Sequence, residues 1–283
     1  MVPANIVLDP LLTMWLQEDI GRGDRTTDGL GALAQRPGQA QWVAKAPGVI
    51  AGLPIAARVF ELLGAALVFQ PLMAEGTMVE AGTEIAQITG PLWGLLTGER
   101  VALNVAMHLS GIATLTREYV NKIVDLPAQL VDTRKTTPGL RLLEKYATQV
   151  GGACNHRMGL DDGVMVKDNH IAAAGGIEAA VTQIRQGIPY PLTIEVETET
   201  LDQVQAALDA GADIIMLDNM APALMHRAVG LIRSTAAHVK IEASGNITLT
   251  TLRTVAETGV DYISTSAPIT RSPWLDLSMR IDA

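Results

Sequence analysis

The rhythm of apolar and polar positions changes near the middle of the chain. Residues 1 to about 110 mix short helical and strand-like stretches. Leu11 to Asp19 has the spacing of an amphipathic helix, and residues 42–52 (WVAKAPGVIAG) alternate as strands do. The Gly52-Leu53-Pro54 step leads into an Ala-rich helix over residues 55–65. Residues 79–92 read as strands, with turns at Gly76, Gly82 and Gly90. A long helix is predicted from about Thr97, with Gly111 expected to loosen it.

The second half repeats one grammar. An amphipathic helix ends at Gly, Asp follows, and a short apolar run then gives way to polar residues. ALDAGADIIMLDN (207–219) and VAETGVDYISTSA (255–267) both read this way, with Gly211 and Gly259 as helix C-terminal glycines. Similar strands fall in QLVDTR, GVMVKDN, LTIEVET and HVKIEASGN. Short apolar strands alternating with helices predict a parallel sheet, and their even spacing favours an α/β barrel over a doubly wound sheet.

Each predicted strand ends in polar groups. They are Arg134 and Lys135, Lys167 and Asp168, Glu195 and Glu197, Asp218, Glu242 and Ser244, and Ser264 and Ser266. Barrel interiors need apolar filling, and barrel active sites lie at the carboxyl ends of the strands. A single strand-end charge is often a solvated loop residue, whereas all six strands behaving alike points to a site.

Composition narrows the class. The 283 residues are 48% hydrophobic but only 4% aromatic, so the core is aliphatic. Charged residues make up 18%, against about 25% in ordinary soluble proteins. That scarcity points to buried subunit interfaces. No apolar run reaches the roughly 18 residues of a membrane span, and the acidic N-terminus lacks the basic start of a signal peptide. The expectation is a cytoplasmic protein with no membrane partner. With a single cysteine, Cys154, an intrachain disulfide is ruled out. The net charge of −9 argues against a nucleic-acid partner.

Within this acidic chain, six of the 21 Lys and Arg residues lie between Arg134 and Lys167, joined by His156 and His170. A local cationic cluster among Gly, Thr and Asn residues suits a small poly-anion. Thr137 and Pro138 read as the cap and first turn of a helix, presenting Arg134 and Lys135 beside a helix start. Arg134 could instead pair with Asp132. Arg141 and Lys145 could face solvent, or pair with Glu144 or Asp161. Asn155-His156-Arg157 lies in a Gly-flanked loop and suits carboxylate or phosphate recognition. Lys167 is either paired, part of a site, or a Schiff-base amine. Glu197 and Asp218 either face a metal and ribose hydroxyls or pair with Lys167 and Arg134. Ser244-Gly245-Asn246 and the turn at Ser266 follow the last two strands, where barrels commonly cradle phosphate. Neither a zinc-spaced Cys/His cluster nor a nucleophile-elbow pattern is present.

EDIGRGDRTT, GERVALNVAMHLSGIAT, DTRKTTPGLRLLEKYA, GGACNHRMGL, VKDNHI, EVET, LDN, ASGN and ETGVDYIS appear in an order that closely resembles the quinolinate phosphoribosyltransferase family. The likeness covers nearly the whole chain. It implies an N-terminal α/β sandwich domain (1–112), an incomplete parallel α/β barrel (113–270), and a tail (271–283) packing back on the first domain. It implies a transferase acting on quinolinate and 5-phosphoribosyl pyrophosphate with Mg²⁺, as a homodimer or dimer-based oligomer with a shared active site. Arg134, Lys135, His156, Arg157 and Lys167 would line the quinolinate pocket and the pyrophosphate side, with Arg100 lent by a neighbouring subunit. Lys135, Lys167, Glu197 and Asp218 would be catalytic, the last two near ribose and, indirectly, the metal. Ser244, Gly245, Asn246 and Ser266 would hold the 5′-phosphate. Ser266-Ala267-Pro268 replaces the family's usual Gly-Ala-Leu turn, with a backbone cost expected at Ser266. Related readings are a paralogue acting on another azaarene acid, of the type found with molybdate transport genes, and a non-catalytic metabolite-binding protein.

Overall fold

The structure is a computed structural model that describes residues 2–64 and 66–282. The chain forms two compact units. One comprises Met1–Arg117, Leu142–Gly152 and Arg271–Ala283, the other Glu118–Arg141 and Ala153–Thr270.

The first unit begins with helices α1 (Asn5–Ile20) and α2 (Arg25–Gly29). Leu8, Leu12 and Leu16, one turn apart, are the buried stripe of α1. Strands β1 (Pro37–Ala44), β2 (Gly48–Val49), β3 (Val68–Pro71), β4 (Met78–Val79) and β5 (Glu84–Pro91) follow, with helix α3 (Leu53–Leu62) between β2 and β3. The C-terminal strand β12 (Leu277–Asp282) pairs antiparallel with β1 and completes a four-stranded sheet in the order β12-β1-β5-β3. The aromatic residues are few, but Trp42, Phe60 and Phe69 gather in one cluster with ring centroids 5.3 to 6.4 Å apart. Edge-on and offset contacts of this kind suit the ring quadrupoles.

Helix α4 (Leu92–Asn121) is longer than the predicted helix and continuous. Gly111 does not loosen it. A Cβ there would lie 2.1 Å from the carbonyl oxygen of Pro273, so the glycine lets the C-terminal segment lie against the helix. The Leu275 N–H donates to Met107 O nearby, at 3.0 Å.

The second unit carries six parallel strands: β6 (Gln129–Val131), β7 (Val164–Val166), β8 (Ile194–Thr198), β9 (Ile214–Asp218), β10 (Lys240–Ser244) and β11 (Tyr262–Ser264). Their order is β6-β11-β10-β9-β8-β7, so β6 and β7 are the edges of an incomplete barrel. Helices α6 (Asp168–Ala174), α7 (Ile177–Gly187), α8 (Leu201–Asp209), α9 (Pro222–Thr235), α10 (Leu252–Ala256) and α11 (Ala267–Thr270) alternate with the strands. Gly211 and Gly259 adopt φ of +74° and +90° after α8 and α10, as helix-ending glycines do.

Successive strand residues face opposite ways. Ile194, Val196, Ile215, Leu217, Ile241 and Ala243 are fully buried. The alternate positions make the other face. Glu197 and Glu242 both pair in register with Met216, and Ser244 with Asp218. Residues level with one another in a sheet share a face, so Glu195, Glu197, Asp218, Glu242 and Ser244 point to one side. No helix among the described residues is long and apolar enough to cross a membrane.

Replacing Gly111 by Ala forces its new methyl group into backbone. Overpacking of this kind costs about 1–3 kcal/mol. The Gly111→Ala protein is expected to melt several degrees below the parent in calorimetry, and an unchanged midpoint would contradict the close packing of Gly111 on Pro273.

Candidate active site

The site grows from the carboxyl ends of β6 to β11. After β6 the chain turns at residues 137–140, where the Leu140 N–H donates to Thr137 O at 3.0 Å and Gly139 has φ of +82°. Pro138 followed by a left-handed glycine is the signature of a type II turn. Thr137 and Pro138 therefore do not start a helix. Helix α5 (Arg141–Gly151) begins only at Arg141, because Gly139 cannot be helical at that φ. The cations Arg134 and Lys135 are presented by a loop, with no helix terminus behind them.

Arg141 neither faces solvent freely nor pairs with an acid. Its guanidinium donates to Thr136 Oγ1 and Met158 O, each at 3.1 Å, and so links the two cation-bearing loops. Lys145 is fully buried in the first unit. His170 caps α6, its Nδ1 accepting from the Lys167 N–H at 3.0 Å.

The loop carrying Asn155, His156 and Arg157 is fixed from below. Asp132, only 2% exposed, accepts from Asn155 Nδ2 at 2.7 Å and from the His156 N–H at 2.8 Å. Its oxygens serve the loop, and Arg134 Nε is buried without a hydrogen-bond partner. Arg157 Nη1 donates to Gly163 O at 2.8 Å. Burial, then the nearby Arg134 charge, lowers the Arg157 pKa from its ordinary value, while Glu195 opposes this. Two guanidinium groups that repel one another, one with a buried N–H unanswered, have the chemistry to receive an anion.

His156 reaches into the barrel. Its Nε2 lies 3.1 Å from Glu195 Oε2 and 3.4 Å from Glu242 Oε2. Both carboxylates are nearly inaccessible, at 3% and 4% exposure, and each leaves its Oε1 buried without a partner. Burial of the ring disfavours its charge, but bonding to Glu195 and then Glu242 outweighs that and pushes the His156 pKa up to about 10. Nδ1 sits 2.7 Å from the Arg157 N–H, a contact that favours the singly protonated ring. One neutral contact contributes on the order of 1 kcal/mol. Two carboxylates against an imidazolium contribute more, so the charged ring prevails. Burial first, and the Glu242 charge, raise the pKa of Glu195, with the His156 bond opposing them. In the charged ring Nε2–H serves the two carboxylates, and Nδ1, also protonated, no longer accepts from the Arg157 N–H.

Glu195 and Glu242 were visible in the sequence as polar strand residues but carried no role. The signal was a carboxylate inside an otherwise apolar strand, which must find a partner. The barrel interior is accordingly not wholly apolar.

Further up the same face, Lys167 Nζ makes a short ion pair with Glu197 Oε2. A paired ammonium is a poor Schiff-base nucleophile, which needs the free amine. Asp218 Oδ2 accepts from Asn219 Nδ2 at 2.7 Å. Ser244 and Gly245 follow on β10, and Gly245 has φ of +94°. Ser266 precedes α11 and does not adopt positive φ, so Ser in place of Gly carries no backbone strain. Thr265 Oγ1 takes the Ala267 N–H at 3.2 Å, and Pro268 has no N–H. Arg100 lies in the first unit, exposed on α4, with Nη2 3.4 Å from Glu99 Oε1.

Among the described residues, one His/Cys/Asp/Glu group has ligand atoms close enough for a metal: His156, Glu195 and Glu242. The ring proton already serves those carboxylates. Glu197 and Asp218 are not in that group.

Because the His156 pKa is raised above its ordinary 6.5 to about 10, its pairing stabilises the fold fully below about pH 6.5 and fades as pH rises through about 10. The melting gap between the parent and His156→Gln is therefore expected to be wide at pH 6 and narrower at pH 10.5. A gap that widens with pH would contradict the charged ring.

Known proteins place the chain. The family model described as "Quinolinate phosphoribosyl transferase, C-terminal domain" matches residues 112–280, and its N-terminal counterpart matches residues 24–110. A probable nicotinate-nucleotide pyrophosphorylase [carboxylating] of Synechocystis sp. is 62% identical over 99% of this chain and 94% of its own. Its Bacillus subtilis counterpart is 44% identical, over 98% of this chain and 94% of its own. The crystal structure of NadC from Streptococcus pyogenes superposes with a TM-score of 0.95 at 40% identity, covering 100% of this chain and 99% of that one. The chain belongs to the quinolinate phosphoribosyl transferase family.

Proposed function

We propose that this chain transfers the phosphoribosyl group of 5-phosphoribosyl pyrophosphate to the ring nitrogen of quinolinate, giving nicotinate mononucleotide, CO₂ and pyrophosphate in NAD biosynthesis. The observation that carries this reading is the open pair of guanidinium groups at Arg134 and Arg157, with Lys135 exposed on the same loop as Arg134. A dianionic pyridine dicarboxylate answers both charges. Family membership and the relatives' names support the same reading.

In this reading Arg134, Lys135 and Arg157 hold the two carboxylates, and Lys167 stands between substrate and Glu197. His156 contributes position and charge to the pocket wall, since its Nε2 is engaged with Glu195 and Glu242. The ring nitrogen attacks the anomeric carbon as the bond to pyrophosphate breaks, through an oxocarbenium-like state that a nearby carboxylate, Glu197 or Asp218, stabilises. Positioning supplies most of the rate. The quaternised nitrogen then stabilises the electron pair left on the adjacent carbon when CO₂ departs, and a proton from water completes the product. Mg²⁺, held mainly through water by Glu197 and Asp218, would neutralise charge on the departing pyrophosphate. Ser244, Gly245, Asn246 and Ser266 would cradle the 5′-phosphate. The protein would act in the cytoplasm as a homodimer or dimer-based oligomer, with Arg100 reaching the site of a neighbouring subunit.

The deciding assay is Mg²⁺-dependent release of pyrophosphate and CO₂ from quinolinate and 5-phosphoribosyl pyrophosphate. Turnover with another azaarene acid but not quinolinate would overturn the substrate assignment. Arg157→Ala should fold and lose about 10- to 100-fold in quinolinate affinity by calorimetry, as the loss of a charged hydrogen bond of about 1.5–3 kcal/mol implies. Unchanged affinity would remove Arg157 from the pocket. Arg100→Ala should be inactive alone but regain activity in mixed oligomers with Arg157→Ala. Absence of rescue would argue against a shared site.

A further inference from the structure

Asn219 and Asn246 are the only non-glycine residues with positive φ among the described residues, at +52° and +53°. This left-handed region is disfavoured for side chains, and Asn tolerates it better than most. The two lie at the carboxyl ends of neighbouring strands, β9 and β10, and they touch. Asn246 Nδ2 donates to Asn219 Oδ1 at 3.1 Å, and Asn219 Nδ2 donates to Asp218 Oδ2 at 2.7 Å. The Asn219 N–H donates to Ser244 O at 3.0 Å. Between the two asparagines stands Gly245, where a Cβ would lie 2.2 Å from Asn219 Oδ1 and 2.9 Å from Asn219 N. The glycine therefore exists in part to admit the Asn219 amide.

The orientation of that amide follows from chemistry. A carboxylate only accepts, so the NH₂ of Asn219 must face Asp218 and its oxygen must face the Asn246 donor. The carboxamide is a rigid link with a donor at one end and an acceptor at the other. Neither Asp nor Gly at position 219 can supply both.

We propose that Asn219 is a positioning residue: its carboxamide ties the Asp218 carboxylate to the Gly245–Asn246 turn and so sets the span between the ribose and 5′-phosphate contacts. The inference rests on the proposed function, because those two ends meet the same substrate only if that substrate is 5-phosphoribosyl pyrophosphate. Quinolinate, held by the Arg134 and Arg157 loops, lies outside this link.

Two variants test it. Asn219→Gly keeps the left-handed backbone and removes the amide. Asn219→Asp keeps the shape but turns an oxygen toward Asp218. Steady-state kinetics with both substrates, calorimetric binding of 5-phosphoribosyl pyrophosphate with Mg²⁺, and melting would be measured. The expected result is a rise of about tenfold or more in KM for 5-phosphoribosyl pyrophosphate in both variants, larger for Asn219→Asp. Quinolinate affinity should be unchanged, and Asn219→Gly should melt close to the parent. If Asn219→Gly binds both substrates like the parent, the side chain positions nothing and the inference falls. Equal weakening for both substrates would make Asn219 merely structural and would also overturn it. Should the parent bind 5-phosphoribosyl pyrophosphate yet not turn over quinolinate, the acceptor assignment fails and the binding comparison still decides for or against Asn219. A parent that binds no 5-phosphoribosyl pyrophosphate would overturn both.

Discussion

The second unit depends on two buried carboxylates and the ring between them. Glu195 and Glu242 stand on β8 and β10, flanking β9, at positions where an apolar side chain would be cheaper. An unpaired ion there would cost several kcal/mol. His156 answers both with one nitrogen. Because the ring comes from the loop between α5 and β7, satisfying the carboxylates also anchors that loop over the strand ends. Asp132 holds the same loop from its backbone and from Asn155. Polar burial, more than apolar packing, thus fixes where Arg157 sits.

This arrangement segregates charge. The acids on the shared face already have partners: Glu195 and Glu242 have His156, and Glu197 has Lys167. Arg134 and Arg157 lie close enough to repel, with Glu195 the nearby acid that favours the Arg157 charge. An anion placed between them would relieve that repulsion. Had Glu195 paired with Arg157 alone, the pocket would have been neutralised from within.

Much of this was legible in the chain. The six parallel strands follow from apolar runs after glycine-ended helices, since that local chemistry leaves few alternatives. The polar strand positions gather on one side of the sheet, as the two-residue period requires. What escaped depended on distant partners. The Thr137-Pro138 start looked helical because caps and turns share residue types, and Gly139 decided for a turn. Gly111 looked like a weak point in α4, since nothing nearby shows that Pro273 lies against it. Glu195 and Glu242 were seen, but their role required knowing that His156, some 40 residues before one and 86 before the other in the numbering, returns between them.

The turns after β10 and β11 are built in different ways. Ser266 adopts an ordinary backbone, so a Gly-specific conformation is not what this turn uses. With the Ala267 N–H taken by Thr265 and none on Pro268, the donors left there are the Ser266 N–H and hydroxyl. The turn after β10 keeps its glycine at a left-handed φ. It is also the turn that departs most from ordinary backbone geometry, with Gly245 and Asn246 both at positive φ. Such a conformation persists only where surrounding bonds over-determine it. Asn219 provides those bonds, which makes the strain at the β10 turn and the plainness of the Ser266 turn two sides of one arrangement.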